Sequence, residues 1–318
     1  KYGILTELLP PSQLVKANGW IEGLTIASII LGVLLGGQLV GPHLSPWLLA
    51  IDLPGIETSI DTPPEAAIAS LVLVYAIAAA INLRIPHTGV RMRPLPDRTL
   101  SLLPDFWRCN ARLWRDKLGQ ISLATTTLFW GVSGNMRYIV LAWAAAALHY
   151  STTQAASLVG VVAIGTAVGA VLASMRVRLD RATRVMPLGV LMGALLVAMV
   201  FVHSLWVAVP FLIVMGALGG YIVVPMNALL QHRGHNLMGA GRSIAVQNFN
   251  EQACILGLGA LYSASAGAGL SAFGAIALFG AVVIAFMLLI QRWHRHNLRR
   301  YPGKVERLLN IARRDRGH

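Results

Sequence analysis

Charge is scarce in this sequence. Only 12% of its 318 residues are charged and 56% are hydrophobic, whereas about 25% of the residues in a soluble globular domain are charged. The chain has two cysteines, Cys109 and Cys254, and neither has an obvious disulfide partner or the spacing of a metal ligand. The composition therefore argues against a disulfide-rich secreted domain and favours a membrane protein.

Motifs for catalysis and nucleotide binding are also missing. No histidine begins an H-x-x-x-x-D acyltransferase box, and there is neither a G-x-x-x-x-G-K-[ST] nor a G-x-S-x-G motif. The histidines and cysteines do not cluster at metal-ligand spacing. We therefore expect no enzyme activity, no cofactor and no bound metal.

Long apolar segments are what the sequence has instead. Eight of them match the roughly twenty residues that a helix needs to cross about 30 Å of hydrocarbon. They are residues 18–41, 65–84, 121–148, 152–175, 184–203, 206–230, 242–266 and 269–291. The sequence thus predicts an all-α, polytopic membrane protein.

The cations lie on one side of the predicted membrane. If the helices alternate in direction, all of the 26 Lys and Arg residues except Arg137 fall before the first helix or after an even-numbered one. The opposite connections contain none. By the positive-inside rule, the basic connections and the carboxyl terminus are cytoplasmic. Topology therefore accounts for the net charge of +13, and contact with anionic lipid headgroups is a second use of the cations. A nucleic-acid partner is not needed to explain the charge.

The connections also divide the chain. Residues 1–84 hold two predicted spans and residues 121–291 hold six. Between them, residues 85–120 form a linker whose second half has the pattern of an amphipathic helix in the membrane interface. Residues 292–318 form a basic cytoplasmic tail. We expect the two groups of spans to belong to two bundles.

A weak internal repeat indicates further helices. Displacing the chain by 225 residues places "NGWIEGLTIASIILG", from Asn18, on "SIAVQNFNEQACILG", from Ser243. Transporters built from two parallel repeats give weak matches of this kind. If residues 121–225 also have a counterpart, it precedes Lys1 and adds four helices, so that the complete fold has twelve.

Arg137 is the one cation that topology does not explain. It lies about 16 to 24 Å from either end of its predicted span, at 1.5 Å per residue, which is beyond the reach of snorkelling. Such an arginine is tolerated only in a bundle interior or a wet cavity. It is either a structural ion-pair partner or an anion-binding or gating charge in a transport pathway, and we favour the second.

Other polar residues in or near the predicted spans are candidates for the same pathway. Glu22 and Glu251 occupy related positions in the repeat, and three roles are open to them: they cap their helices, pair with Lys16 and Arg242, or line a cavity. The remaining candidates are amides in or beside the predicted helices: Asn135, Asn227, Gln247 and Asn248.

Several strings together resemble a known family. "KYGILTEL", "LVKANG", "TLFWG", "VPMNALLQ" and "SIAVQN" are similar to strings of the bacterial lysophospholipid transporters of the major facilitator superfamily. The resemblance covers nearly the whole chain and implies two six-helix bundles, of which about eight of twelve helices are present. It implies that Lys1 ends the fourth helix and that Arg137 pairs with an aspartate of the first.

The resemblance also implies a function. Such proteins flip lysophosphatidylethanolamine and lysophosphatidylglycerol from the outer to the inner leaflet of the bacterial inner membrane. A partner acyltransferase/acyl-carrier-protein synthetase then reacylates them. Asp180, with Arg181 and Arg184, takes the place of a gating loop. Two alternatives stay open: an exporter of another amphiphile or drug, and a membrane scaffold for the acylation enzyme.

Overall fold

The computed structural model describes residues 2–40, 45–50, 62–85, 89 and 102–314. Within these ranges the chain is helical and has no strand. The first helices are α1 (Tyr2–Leu8), α2 (Pro11–Val40), α3 (Ser45–Leu49), α4 (Pro63–Asn82), α5 (Leu102–Arg115), α6 (Gly119–Leu148) and α7 (Thr152–Arg176). After a 3₁₀ segment (Leu179–Val185) come α8 (Pro187–Ala198), a second 3₁₀ segment (Met199–Phe201), α9 (Leu205–Met238), α10 (Ala240–Gly267), α11 (Ala272–Arg300) and α12 (Pro302–Arg314).

Each predicted span coincides with helical structure over most of its described residues. Among the described residues, five helical segments are long and apolar enough to cross a membrane: Pro63–Asn82, Gln154–Arg176, Leu179–Phe201, Leu205–Met238 and Ala272–Arg300. Helices α2, α6 and α10 are of similar length. The chain is therefore an all-α, polytopic membrane protein, as predicted.

Contacts between residues group the chain into two units. One comprises residues 1–26 and 91–318, and the other comprises residues 27–90. In the second unit, α3 packs against α4, and α4 leaves a belt of apolar side chains exposed, which suits contact with lipid tails. The contacts thus place the beginning of α2 with the carboxyl-terminal helices. The predicted division into 1–84, 85–120, 121–291 and 292–318 stays a prediction.

Small residues bring α7 and α9 into close contact in the first unit. A Cβ atom on Gly169 would overlap the carbonyl oxygen of Ala217, and one on Gly216 would overlap that of Val162. Lipid tails are as apolar as leucine, so helices in a membrane associate mainly through such close packing and through hydrogen bonds. The glycines of these two helices therefore set their separation.

The predicted interfacial helix in the linker is α5. Its buried face consists of Cys109 and Leu113, which pack with Leu123, Leu230 and Val246, whereas Arg108, Arg112 and Arg115 are exposed. Its last turn stacks Trp114 on Trp293 of α11, with the ring centroids 6.1 Å apart. Helix α5 thus uses part of its apolar face to dock on the bundle.

The predicted basic tail is also ordered into helices. Helix α11 continues to Arg300, and after a break at Tyr301 the chain forms α12. Val305 of α12 is 1% exposed, and α12 packs against α11 and against the 3₁₀ segment Leu179–Val185. Residues 315–318 lie outside the described part of the chain.

Candidate functional site

Five buried polar side chains form a hydrogen-bonded chain that joins α2, α9 and α10, and we call it the amide network. Asn18 Nδ2 donates to Gln231 Oε1 at 2.9 Å, and Asn18 Oδ1 accepts from Gln231 Nε2 at 2.9 Å. Asn227 Nδ2 donates to Asn18 Oδ1 at 3.2 Å. Gln247 Nε2 donates to Asn227 Oδ1 and to Glu251 Oε1, both at 2.8 Å. None of the five residues is more than 7% exposed.

Helical spacing places these groups in line. Asn227 and Gln231 are four residues apart on α9, and so are Gln247 and Glu251 on α10; side chains at this spacing share a helix face. A buried amide without a partner costs free energy, so the mutual bonds hold the three helices in register. Gln247 Oε1 is buried and accepts no hydrogen bond from any residue that the structure describes. The network therefore has an unused acceptor.

The two repeat-related carboxylates lie near each other. Glu22 is half-buried on α2, one turn after Asn18, and is close enough to Glu251 for their charges to interact. Of the alternatives for Glu251, pairing with Arg242 does not occur, because nine helical residues, or about 13 Å along the axis, separate the two. Arg242 Nη2 pairs instead with Asp105 Oδ2 of α5.

Arg137 and Asn135 lie on different faces of α6. Arg137 is exposed and forms no hydrogen bond or ion pair with a described residue. Asn135 is buried and donates from Nδ2 to the carbonyl oxygens of Gly131 at 2.8 Å and Ile255 at 3.0 Å. Two residues along a helix turn the side chain through about 200°, so the structure does not combine them in one patch. Asn135 ties α6 to α10.

A further candidate stands apart from the amide network. Asn248 is exposed on α10 and has no hydrogen bond to the described residues. It follows Gln247 directly, so its side chain points about 100° away around the helix. Lys1 lies outside the described residues.

The predicted gating loop pairs with the tail helix. Asp180 Oδ2 accepts from Arg313 Nε of α12 at 3.1 Å, and Asp180 Oδ1 lies 3.4 Å from Arg178 Nε. Arg181 and Arg184 are exposed and form no ion pair with Asp180. Arg313 was not predicted from the sequence. Its position in an amphipathic, basic segment is the sequence feature that could have indicated it.

A second ion pair, missed from the sequence, lies at the junction of α5 and α6. Arg233 of α9 donates from Nε to Asp116 Oδ1 at 3.1 Å and from Nη2 to Asp116 Oδ2 at 2.8 Å. The Arg233 and Asp116 side chains are 5% and 9% exposed. Asp116 Oδ1 also accepts from the backbone N–H of Gly119 at 2.7 Å. The sequence feature that could have indicated this pair is Asp116 itself, a single acidic residue between two basic ones directly before a predicted span.

Two hydrogen bonds of Asn250 also tie helix α5 to α10. Asn250 Oδ1 accepts from Trp114 Nε1 at 3.2 Å, and Asn250 Nδ2 donates to Asn110 Oδ1 at 2.9 Å. Together with the Arg242–Asp105 pair, these bonds fix the linker helix to the start of α10. Among the described residues, no group of His, Cys, Asp and Glu side chains is arranged to hold a metal ion.

Comparison with known proteins identifies the family. The model of the Major Facilitator Superfamily matches residues 2–258. The chain belongs to the major facilitator superfamily. The lysophospholipid transporters LplT of Yersinia enterocolitica, Yersinia pestis and Yersinia pseudotuberculosis are each 39% identical to it over 264 residues. The match covers 83% of this chain and 60% of each relative. No solved structure matches the chain.

The comparison confirms the predicted family and fold class. This superfamily member spans about 60% of the length of the curated relatives it matches. The matched residues contain the whole amide network, Arg137, Asp180 and the Asp116–Arg233 pair. They exclude α11 and α12, so the tail helix that pairs with Asp180 lies beyond the part described by the family model.

Proposed function

We propose that this chain belongs to a transporter that moves lysophospholipids across the bacterial inner membrane. The observation that carries the proposal is the 39% identity to proteins named as lysophospholipid transporters. We propose the direction as outer to inner leaflet and the substrates as lysophosphatidylethanolamine and lysophosphatidylglycerol. Reacylation by an acyltransferase/acyl-carrier-protein synthetase would consume the product.

Arg137 is the proposed headgroup or gating charge. A lysophospholipid carries one phosphate and one acyl chain, so its carrier needs a cation beside an apolar wall. A guanidinium offers two parallel N–H donors to a phosphate, and Arg137 is exposed beside Tyr138 on α6. The exposed position of Arg137 leaves its guanidinium accessible to such a phosphate.

The amide network is proposed to be the part that opens and closes. Three of its hydrogen bonds join α2 to α9. A net contribution of about 0.5–1.5 kcal/mol for each neutral bond gives about 1.5–4.5 kcal/mol in all, which thermal motion and substrate binding can overcome. Glu22, Glu251 and Gln247 then line the opening, where water can satisfy the amides. Lys1, Asn135 and Asn248 are secondary candidates.

The gating loop and the orientation complete the proposal. The Asp180–Arg313 contact is proposed to release and re-form as the loop around Arg181 and Arg184 moves. The basic connections and the carboxyl terminus are proposed to face the cytoplasm, since that side carries the cations.

Uptake of labelled lysophospholipids into vesicles tests the proposal. The chain spans about 60% of its relatives' length, so the assay uses the chain alone and the chain extended with the preceding residues of a Yersinia relative. Losing a charge-assisted contact to phosphate costs about 1.5–3 kcal/mol, so we expect Arg137→Ala to lower uptake about 10- to 100-fold. Arg137→Lys should recover part of it. Arg176→Ala, at the end of α7, is the control and should leave uptake unchanged.

Three results would contradict this account. Normal uptake by both Arg137 variants would make the arginine structural at most. Transport of a different amphiphile, with lysophospholipid uptake equal to that of protein-free vesicles, would favour an exporter. Loss of acylation-enzyme recruitment, with flipping unaltered when the protein is removed, would favour a scaffold.

A further inference from the structure

The last turns of α11 carry a row of cations on one face. Arg295 and His296 lie three and four residues after Arg292, and Arg299 lies three residues after His296, so that the four side chains lie on one side of the helix. Among the described residues they line a cleft of about 330 Å³. All four are exposed, and none of the three arginines forms an ion pair with a carboxylate in the part of the chain that the structure describes. Their positive charge is therefore available to a ligand.

The same face is apolar one turn earlier. Phe286 and Leu289 precede Arg292 at the same spacing and are 49% and 59% exposed. The other side of α11 is covered by protein, since Met287, Ile290 and Asn297 are buried. The exposed face thus changes from apolar to cationic along about 9 Å of helix, from Leu289 to Arg295.

We propose that this face of α11 binds an anionic diacyl phospholipid of the surrounding leaflet. The phosphate lies in the cleft against the guanidinium groups of Arg292, Arg295 and Arg299, and an acyl chain lies along Leu289 and Phe286. Arginines bind phosphate through paired N–H donors, and cations at the membrane surface attract anionic lipids. A zwitterionic lipid brings no net charge to balance the row, so the cleft selects an anionic headgroup.

This site is separate from the proposed transport pathway. It lies beyond residues 2–258, the part matched by the superfamily model, and it shares no residue with the amide network or Arg137. Its ligand is a resident bilayer lipid with two acyl chains, whereas the transported lipid has one.

Native mass spectrometry of the full chain, titrated in detergent with phosphatidylglycerol or phosphatidylcholine, tests the proposal. We expect wild type to bind phosphatidylglycerol at least about tenfold more tightly, since three cations each attract anionic lipid at a surface. The variant Arg292→Gln/Arg295→Gln/Arg299→Gln should lose that preference. The control Arg300→Gln/Lys304→Gln/Arg307→Gln removes the same charge from exposed positions at the same end of the chain; it should retain the preference within about twofold.

Equal losses in the two triple variants would show that only net charge matters and would overturn the proposal. Equal affinity of wild type for both lipids would do the same. Displacement of the lipid by soluble glycerophosphoglycerol at equal concentration would assign the cleft to a free anion. Circular dichroism checks folding, and if the triple variant misfolds, the single change Arg295→Gln should still weaken phosphatidylglycerol binding about threefold.

Discussion

Among single residues, Asp116 and Arg233 form the contact whose disruption we expect to cost most. Removing one member of a buried ion pair leaves an uncompensated charge and costs about 3–5 kcal/mol. Arg233→Met should therefore lower the free energy of unfolding in a denaturant titration by this amount. Asp116→Leu should cost more, because Asp116 also accepts the N–H of Gly119.

The double variant Asp116→Leu/Arg233→Met measures how much the two side chains stabilise each other. Both charges are then absent, so its loss of stability should be clearly smaller than the sum of the two single losses. Strict additivity would mean that the two side chains do not stabilise each other.

Asn18 carries the link between α2 and α9. Asn18→Ala removes its bonds to Gln231 and Asn227 and leaves buried amides without that partner, which costs about 1–3 kcal/mol. The expected result is a lower midpoint of thermal unfolding in detergent. Asn248→Ala, which alters an exposed asparagine, should leave the midpoint unchanged; a similar drop in both variants would contradict the network.

Residue types revealed part of the candidate site, and tertiary contacts revealed the rest. Asn227, Gln247 and Glu251 were predicted because polar side chains are costly inside a membrane helix. Asn18, which bonds directly to Asn227, was not among the predicted residues, since its bond to Gln231 joins positions 213 residues apart. Spacing along a helix defines a shared face, but it does not identify the helix that packs against that face.

At the scale of the helix, the reactivity of Cys109 tests the docking of α5, because this cysteine lies on the buried face of that helix. Burial raises the pKa of the Cys109 thiol, and the nearby Asp105 carboxylate raises it further, whereas Arg242 lowers it. A raised pKa keeps the thiol protonated to higher pH, and the thiolate is the reactive form. Maleimide labelling of the Cys254→Ala protein should therefore reach half its maximal rate at a higher pH than labelling of a free cysteine.

Asp105→Asn gives the matching test. It removes a negative charge, so the pH midpoint of labelling should fall. The pH midpoint of labelling is compared, and not the labelling rate, because burial slows labelling at every pH. An unchanged or higher midpoint would contradict the placement of Asp105 beside Cys109.

Two glycines of α7 give a matched pair for helix packing. A Cβ on Gly169 meets backbone of α9, whereas one on Gly160 meets nothing within 4 Å. We expect Gly169→Ala to lower the free energy of unfolding by about 1–3 kcal/mol through overpacking. Gly160→Ala should be neutral or stabilise by up to about 1 kcal/mol, because alanine is the better helix former. The reverse order in a denaturant titration would contradict the close contact of α7 and α9.

Apolar helices were easier to predict than polar ones for a physical reason. A spanning helix must be about twenty apolar residues long, so its length and composition are visible in the sequence. Helix α12 is basic and short, and its position depends on Val305 and on the Arg313–Asp180 pair. These contacts are tertiary, and the sequence indicated only a basic tail.

For the whole molecule, the repeat and the resemblance predicted the superfamily, which the comparisons confirm. Composition alone indicates only that the chain crosses a membrane. The resemblance implies a counter-charge for Arg137 outside the described residues, so this pairing stays a prediction. The transport assay with Arg137→Ala and Arg137→Lys distinguishes a cation that pairs outside the described residues from one that binds substrate.

The distribution of cations makes a prediction about the orientation of the whole chain. Single cysteines are introduced into a Cys109→Ser/Cys254→Ala protein, at Ser204 or Leu270 in connections without cations and at Arg181 or Gly303 on the basic side. A membrane-impermeant maleimide added to intact cells should label Ser204→Cys and Leu270→Cys. Arg181→Cys and Gly303→Cys should react only after permeabilisation, because the basic side is retained in the cytoplasm. The opposite pattern would invert the proposed orientation, and labelling of all four in intact cells would mean that the helices do not alternate.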